Sequence, residues 1–502
     1  MAQITLTNCM IIDEAGCAPA SGRFDIEITD DRISDVRLAG TQPPKGRAID
    51  SSNRLATAGL INGHHHSHEH FHKGRYDKLP LELWMNYVRP MKPLPWTPRQ
   101  VYLRTMIGAI EALRTGTTTL IDDLNISPVL DDDLVDAVFR AYEDIGIRAL
   151  VGISLFDRPF YRAVPYVDEE FPPDLLRSLD AAKATPADEV LAFVGELAHD
   201  RHPSENRVGC LVAPSAPQRC TDDFLIATRA LADEFGLPII IHVHETRLQA
   251  VTAQEFYGCT MIEHLDRLGF LKPHTSLIHA VWLTPKDIET LAGSGVTIQH
   301  NPTSNLKLGS GIAPIRPLLD AGVNVSLGTD GCGSTETLSM LRAVNNAALL
   351  DKLRDDAYEA WIGAREAWHA GTRGGAAAIN RGHELGAIKK GYLADIALYR
   401  LDRIPFAPLN NALNQLVYSE TGASLDSVFV AGEQVMDEGR LSTVNEAEIL
   451  REICDVHEEL ETLIASSEMQ TDKIREAYDR IYRRCNACPI PSDTLPAKLH
   501  RL

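Results

Sequence analysis

The stretch GLINGHHHSHEHFH, residues 59–72, decides how the rest of the chain is read. It passes from apolar residues directly into a run of imidazoles. On an extended strand, side chains two apart share a face, so His64 and His66 point to one side and His65 to the other. Neutral imidazoles are the commonest protein ligands for zinc, iron and related ions. Read alone, the segment fits a histidine-rich surface loop equally well, and its surroundings have to decide.

Outward from it, short apolar runs alternate with amphipathic ones. Eight candidate strands follow in order: residues 55–66, 117–123, 148–154, 208–214, 238–245, 275–281, 297–301 and 324–330. Helical patterns fall between them, at 98–114, 187–198, 222–235, 285–293 and 338–353. Runs of Val, Ile and Leu without polar alternation suit strands buried on both faces, as in a parallel barrel. Eight β-then-α units predict an α/β chain with a (β/α)8 barrel over residues 58–383. Residues 1–57 instead alternate apolar and polar residues (ITLTNCMIID, RFDIEITDDRISDVRLAG), and the same texture returns over 384–444 (GAIKKGYLADIALYRL, DSVFVAGEQVMDEG). The two ends are expected to pair into one β-sandwich flanking the barrel. Residues 445–502 read as a helical C-terminal extension, packed on its own domain or on a partner subunit.

Composition narrows the partners. Lys and Arg number 49 against 69 Asp and Glu, a formal net charge of −20. Nucleic acid and anionic membrane both demand positive surface, so neither is expected. Nine cysteines spread thinly over 502 residues make no disulfide framework and point to a reducing compartment. With no signal-like leader and no apolar run of about 20 residues, the expectation is a cytoplasmic protein acting on a small molecule. The pair Cys485-x-x-Cys488 lacks the second pair that a zinc module needs.

Three further segments carry chemistry. In IIIHVHETR (239–247), His242 and Glu245 end an apolar strand; SLIHAVWLTPKD (276–287) offers His279 at the next strand's end. In VSLGTDGCGSTETLSM (325–340), Asp330 ends another, where a carboxylate is costly unless paired or metal-bound. Singly, each has a bland reading as a hydrogen-bonded core His or a helix cap. Together they sit on expected strands 1, 5, 6 and 8, at the barrel end where such enzymes keep their sites.

At this point the chain resembles the amidohydrolase superfamily, in its branch of triazine hydrolases and purine, pterin and cytosine-type deaminases. The match lies at His64 and His66, at His242 and Glu245, at His279 and at Asp330, with NPTSNLKLGSGIAPIRPLLDAG and GAIKKGYLADIALY also similar to family segments; it covers residues 1 to about 440. The resemblance implies a metal held by His64, His66, His242 and Asp330. Binuclear members bridge two metals with a strand-4 Lys, and VGCLVAPSAPQRC (208–220) has none, so one divalent ion per chain is expected: zinc first, with iron, manganese or cobalt as alternatives. Three departures stand out. Ala58-Gly59 replaces the usual Pro-Gly, Glu69 stands where many deaminases have Gln, and Ser215 stands where a strand-4 His is common.

The resemblance also implies roles. Asp330 accepts a proton from water, His279 polarises the group under attack, and Glu245 passes a proton to the leaving amine. Glu69, with Asp77 and Glu82 nearby, suggests an acidic mouth, while Trp84 and Tyr87 offer rings to stack on a planar substrate. Arg219 is a candidate for an anionic or carbonyl group, and Asn305 completes the substrate-binding candidates. The expected enzyme is an amidohydrolase of non-peptide C–N bonds, most simply an aminohydrolase of an amino-substituted heterocycle or amidine-like carbon. Hydrolysis of an exocyclic amide, urea or carbamate uses the same machinery. A non-catalytic interaction protein of the same fold is the reading from another class, and a homo-oligomer is expected.

Overall fold

The computed structural model describes residues 3–12, 21–89, 94–126, 130–181, 185–354 and 357–495. Eight strands, Leu60–His65, Thr117–Leu124, Arg148–Leu155, Val208–Pro214, Ile239–Val243, Thr275–His279, Thr297–His300 and Asn324–Leu327, are hydrogen-bonded neighbours in chain order. Every pairing is parallel. The second, third and fourth strands are buried along their whole length, which is why they read as unbroken apolar runs. The first and last strands meet at one seam. There the Asp330 amide donates to the His64 carbonyl (2.9 Å), and the Asn62 side chain pairs with Thr329 (2.7 and 3.0 Å).

One expected strand is two. The run 55–66 divides at Gly59 into Arg54–Ala58, which belongs to a different sheet, and Leu60–His65, which opens the barrel. Both halves have strand texture, so the sequence shows no break. The hand-over needs glycine because a Cβ at residue 59 would overlap the Thr118 side chain. Arg54–Ala58 lies antiparallel to Ile396–Arg400, with Ala58 opposite Ile396.

That pairing joins the two chain ends in a nine-stranded mixed sheet beside the barrel. Leu6, Ile26, Ile28 and Ile33 from the N-terminal side share an apolar core with Ile396, Leu398 and Phe429 from the C-terminal side. A buried two-pronged ion pair, Arg148 to Asp395 at 3.0 Å, ties the third barrel strand to this sheet.

The extension is one helix, Glu446–Ala487, 42 residues long and therefore about 63 Å at 1.5 Å per residue. It packs on its own chain. Ile474, Tyr478, Ile481 and Cys485 are buried against Leu83, Phe171, Leu248 and Val251. Polar contacts run alongside: Thr471 donates to the Asn86 carbonyl (3.0 Å), Tyr87 to Asp472 (2.5 Å), and Arg75 reaches Glu461 (2.8 Å) and Glu468 (3.0 Å). The Tyr87 hydroxyl is thus engaged by this helix, not offered to a substrate. The eight described cysteines are free; Cys17 lies outside the described residues. No described helix is long and apolar enough to cross a membrane.

Tyr478 is 1% exposed and Met469 64% exposed on the same helix. Tyr478→Ala is expected to lower unfolding free energy by about 3–5 kcal/mol, as for other buried aromatic deletions, and Met469→Ala by no more than about 0.5 kcal/mol. Urea denaturation of the two variants checks this; equal losses would show that the helix does not pack as described.

Candidate active site

The C-terminal ends of strands one, five, six and eight deliver His64 and His66, His242, His279 and Asp330 to one buried point. Ring centroids of His64 lie 4.6 Å from His66 and 4.9 Å from His242. Asp330 Oδ1 is 3.3 Å from His66 Nε2 and 3.5 Å from His64 Nε2. His279 Nε2 faces Glu245 Oε2 at 3.5 Å and Asp330 Oδ2 at 3.9 Å.

The backbone is bent to achieve this. His244 (φ 47°), His279 (φ 73°), Ala280 (φ 47°) and Asp330 (φ 69°) all occupy the left-handed region, which costs non-glycine residues about 1–3 kcal/mol each. The bend at His244 turns its own ring onto the Met261 amide (2.8 Å) while Glu245, the next residue, lines the cavity. Gly331 sits so close to the Glu69 carboxylate that a Cβ there would collide with it.

Hydrogen bonds on the far side of each ring set its orientation. His66 Nδ1 lies 2.7 Å from the Asp123 carbonyl, His242 Nδ1 2.8 Å from the Ser215 carbonyl, and His279 Nδ1 2.9 Å from Asn305 Oδ1. Each oxygen is an acceptor, so Nδ1 carries the proton and Nε2 keeps a lone pair directed inward. Burial first, and the neighbouring imidazoles second, push His66 and His242 well below the ordinary histidine range, so both are neutral. Burial brings His279 down to about 4.

The carboxyls divide. Burial pushes Asp330 up, but the fields of His64, His66 and His279 outweigh it and hold it well below its usual value. Ser304 Oγ (2.6 Å) and the Gly331 amide (2.8 Å) donate to it. Glu245 and Glu69 are raised well above the carboxylate range, by burial and then by the charge of Asp330.

This donor set fits a divalent metal. Both ring nitrogens of His64 are buried without a hydrogen-bond partner among the described residues. The ligand atoms of His64, His66 and His242 all lie within 4.8 Å of one another. Two atoms bound at about 2.1 Å to one tetrahedral ion sit about 3.4 Å apart, and the Asp330 contacts of 3.3 and 3.5 Å match that span. Two further groupings, His66–His68–Glu69 and Glu245–His279–Asp330, adjoin this point; the Cys485 and Cys488 pair is in none of the three.

Of the substrate candidates, Glu69, Trp84 and Arg219 line the cavity over this point, with Arg89, Ser215, Gln218 and Gln249. Asn305 does not; it stands behind His279. The acidic mouth is smaller than expected. Asp77 is exposed, and Glu82 is buried, accepting from the Thr246 hydroxyl. Sequence reasoning missed Asp122 and Asp123, Ser304 and Arg89. Asp122 accepts from the Ser67 amide (2.9 Å) and Tyr142 (2.8 Å), fixing the turn after His66. The one signal for this pair was two adjacent acids at the end of a strand otherwise rich in Thr, Leu and Ile.

Comparison with known proteins agrees with this geometry. The model of the Amidohydrolase family matches residues 55–435. A 5-methylthioadenosine/S-adenosylhomocysteine deaminase of Thermococcus sibiricus is 35% identical over 416 residues, 82% of this chain and 90% of the relative. A 5'-deoxyadenosine deaminase of Methanothermobacter thermautotrophicus is 31% identical over 89% of this chain and 96% of its own. Among solved structures, a zinc-bound adenosine deaminase of Xanthomonas campestris superposes with TM-score 0.81 at 27% identity, over 92% of this chain and 99% of that one. An atrazine chlorohydrolase of Arthrobacter aurescens in complex with zinc superposes at 0.80 and 25% identity, over 91% of this chain and all of that one. The chain belongs to the amidohydrolase family. It is a hydrolase with a (β/α)8 barrel and groupings of His, Asp and Glu that could hold a metal ion, and deaminases are among its relatives.

The raised Glu69 carboxyl has a consequence for stability. A carboxyl whose pKa is higher in the folded state favours folding fully below its unfolded pKa of about 4.3, and this contribution is lost as pH rises toward the folded value. Metal-stripped Glu69→Gln should therefore gain in melting temperature over metal-stripped wild type, by a margin that widens from pH 5 to pH 8. Parallel pH profiles for the two proteins would contradict a neutral, buried Glu69.

Proposed function

We propose that this chain is a mononuclear metal-dependent aminohydrolase acting on a 6-aminopurine nucleoside or a closely similar amino-substituted heterocycle. One observation carries the reading: inward-facing imidazoles and an ionised Asp330 converge beside Glu245, a carboxyl that keeps its proton. The substrate class follows from the adenosine-type deaminases among the relatives. His64, His66, His242 and Asp330 would hold one ion, zinc by preference. When bound, it would bring the pKa of water from 15.7 to about 7 and so supply a nucleophile at neutral pH.

The remaining steps belong to side chains. Asp330 Oδ2, fixed by Ser304, takes the proton of the attacking water. His279 Nε2, between Asp330 and Glu245, holds a proton in transit and with it donates toward the ring nitrogen of the substrate. Glu245 delivers its proton to the departing amine, which leaves as ammonia when the C–N bond breaks, and the proton remaining on the new carbonyl oxygen passes by Asp330 and His279 back to Glu245. Glu69 reaches polar edges of the heterocycle and Trp84 packs on its face. Asn305 positions His279.

We further propose a cytoplasmic homo-oligomer in which Leu450, Leu463 and Met469, exposed on the long helix, meet a second copy. The folding units would be residues 1–57 with 384–444, 58–383, and 445–502.

Elemental analysis should find about one transition metal per purified chain and much less in Asp330→Ala. Glu245→Gln should keep the metal yet lose about 10²–10⁴ in kcat for ammonia release from adenosine or 5'-deoxyadenosine. Two metals per chain would refute the mononuclear reading. Full activity in Glu245→Gln would remove Glu245 from proton transfer.

A further inference from the structure

The cavity over the metal-site grouping carries two guanidinium groups. Arg89 follows the short helix Leu81–Val88, and Arg219 follows the fourth barrel strand. Both line the same cavity as His66, Glu69 and Asp330. Arg219 is 7% exposed. One of its amino groups donates to Ser215 Oγ (3.2 Å), and its carbon lies 3.9 Å from the Phe156 ring centre, so the plane stacks on a hydrocarbon face. Nε of both arginines is buried without a hydrogen-bond partner among the described residues, and neither makes an ion pair within 4 Å there. Burial, followed by the charge of Arg89, brings Arg219 down to about 9, so the two cations oppose each other.

Two like charges in one cavity, the buried Arg219 and the half-buried Arg89, are costly unless a counter-ion meets them. None of the acids facing them comes within 4 Å of either guanidinium among the described residues. Glu245 faces His279 (3.5 Å) and Glu69 faces His68 (3.9 Å), Asp330 is taken by its histidines, Ser304 and Gly331, and Glu82 accepts from Thr246. Asp123 has its carboxylate 3.8 Å from His242 Nδ1. A divalent ion in the site would only add positive charge.

We propose that Arg89 and Arg219 form an anion-binding subsite, and that the substrate is an amino-heterocycle bearing a carboxylate or phosphate. This rests on the aminohydrolase reading and narrows its substrate class. A guanidinium fork recognises either anion through paired N–H donors, whereas a neutral congener leaves both forks unmet.

The test uses metal-loaded full-length protein and two readouts. Ammonia release is measured from adenosine, adenosine 5'-carboxylic acid and adenosine 5'-monophosphate. Calorimetric affinity is measured for the corresponding inosine series, which has no amine to lose. At least one anionic congener is expected to exceed the neutral one by 10-fold or more in kcat/KM and in affinity. The acid and phosphate arms tell which anion is taken. The preference should fall below 3-fold in Arg219→Gln and Arg89→Gln and survive in part in Arg219→Lys, which keeps the charge.

Turnover without anionic preference in the wild type overturns the subsite and leaves the aminohydrolase reading standing, whatever the variants do. Anionic preference in the inosine series with no adenine congener turned over keeps the subsite and overturns the purine reading. Neither turnover nor preference overturns both.

Discussion

The amide of Asp330 donating to the carbonyl of His64 is the bond on which this molecule turns. It sits where the last barrel strand meets the first, so closing the barrel and assembling the site are one event. His64 lies in the first strand, His66 directly after it, and Asp330 in the loop after the eighth, with more than 260 residues of chain between them. Only closure brings a carboxylate from one end of the barrel to imidazoles from the other. Asn62 and Thr329 fasten the same seam with side chains, which compensates for the sparse backbone pairing there.

Around that seam the electrostatics follow from exclusion of water. One carboxyl, Asp330, is surrounded by imidazoles and donors and stays ionised. Two others, Glu69 and Glu245, face it across the cavity and keep their protons because burial and the Asp330 charge act in the same direction. An acid and a base are thereby separated within one pocket by environment alone. His66 and His242 are neutral for the same reason, and the carbonyls behind them decide which nitrogen looks inward.

Much of this was legible in the sequence. Runs such as 208–214 and 222–235 read directly, because a doubly buried strand and a helix between Thr221 and Gly236 carry strong local signals. The convergence of His64, His66, His242, His279 and Asp330 was legible because strand-end positions in a barrel all open on one face. What hid was whatever depends on a third dimension without a period. The change of sheet at Gly59 has strand texture on both sides. Asn305 looked like a substrate residue, yet its carbonyl oxygen faces His279, and no pattern in NPTSNLK distinguishes the two. Tyr87 and Glu82 looked like mouth residues because their partners, Asp472 and Thr246, lie 385 and 164 positions away.

The long helix Glu446–Ala487 bears on how the mouth of the cavity is held. Leu81–Val88 supplies Trp84 to the cavity and leads into Arg89, but it is held by Thr471, Asp472 and the apolar side around Tyr478. During synthesis the barrel, with the His/Asp grouping ending at Asp330, leaves the ribosome well before those holdfasts do. A chain stopped near residue 450 would carry His64, His66, His242, His279 and Asp330 but none of the contacts that Thr471, Asp472 and Tyr478 make with Leu81–Val88. The helix Glu446–Ala487 carries none of the proposed chemistry, yet it backs the wall of the cavity above that chemistry.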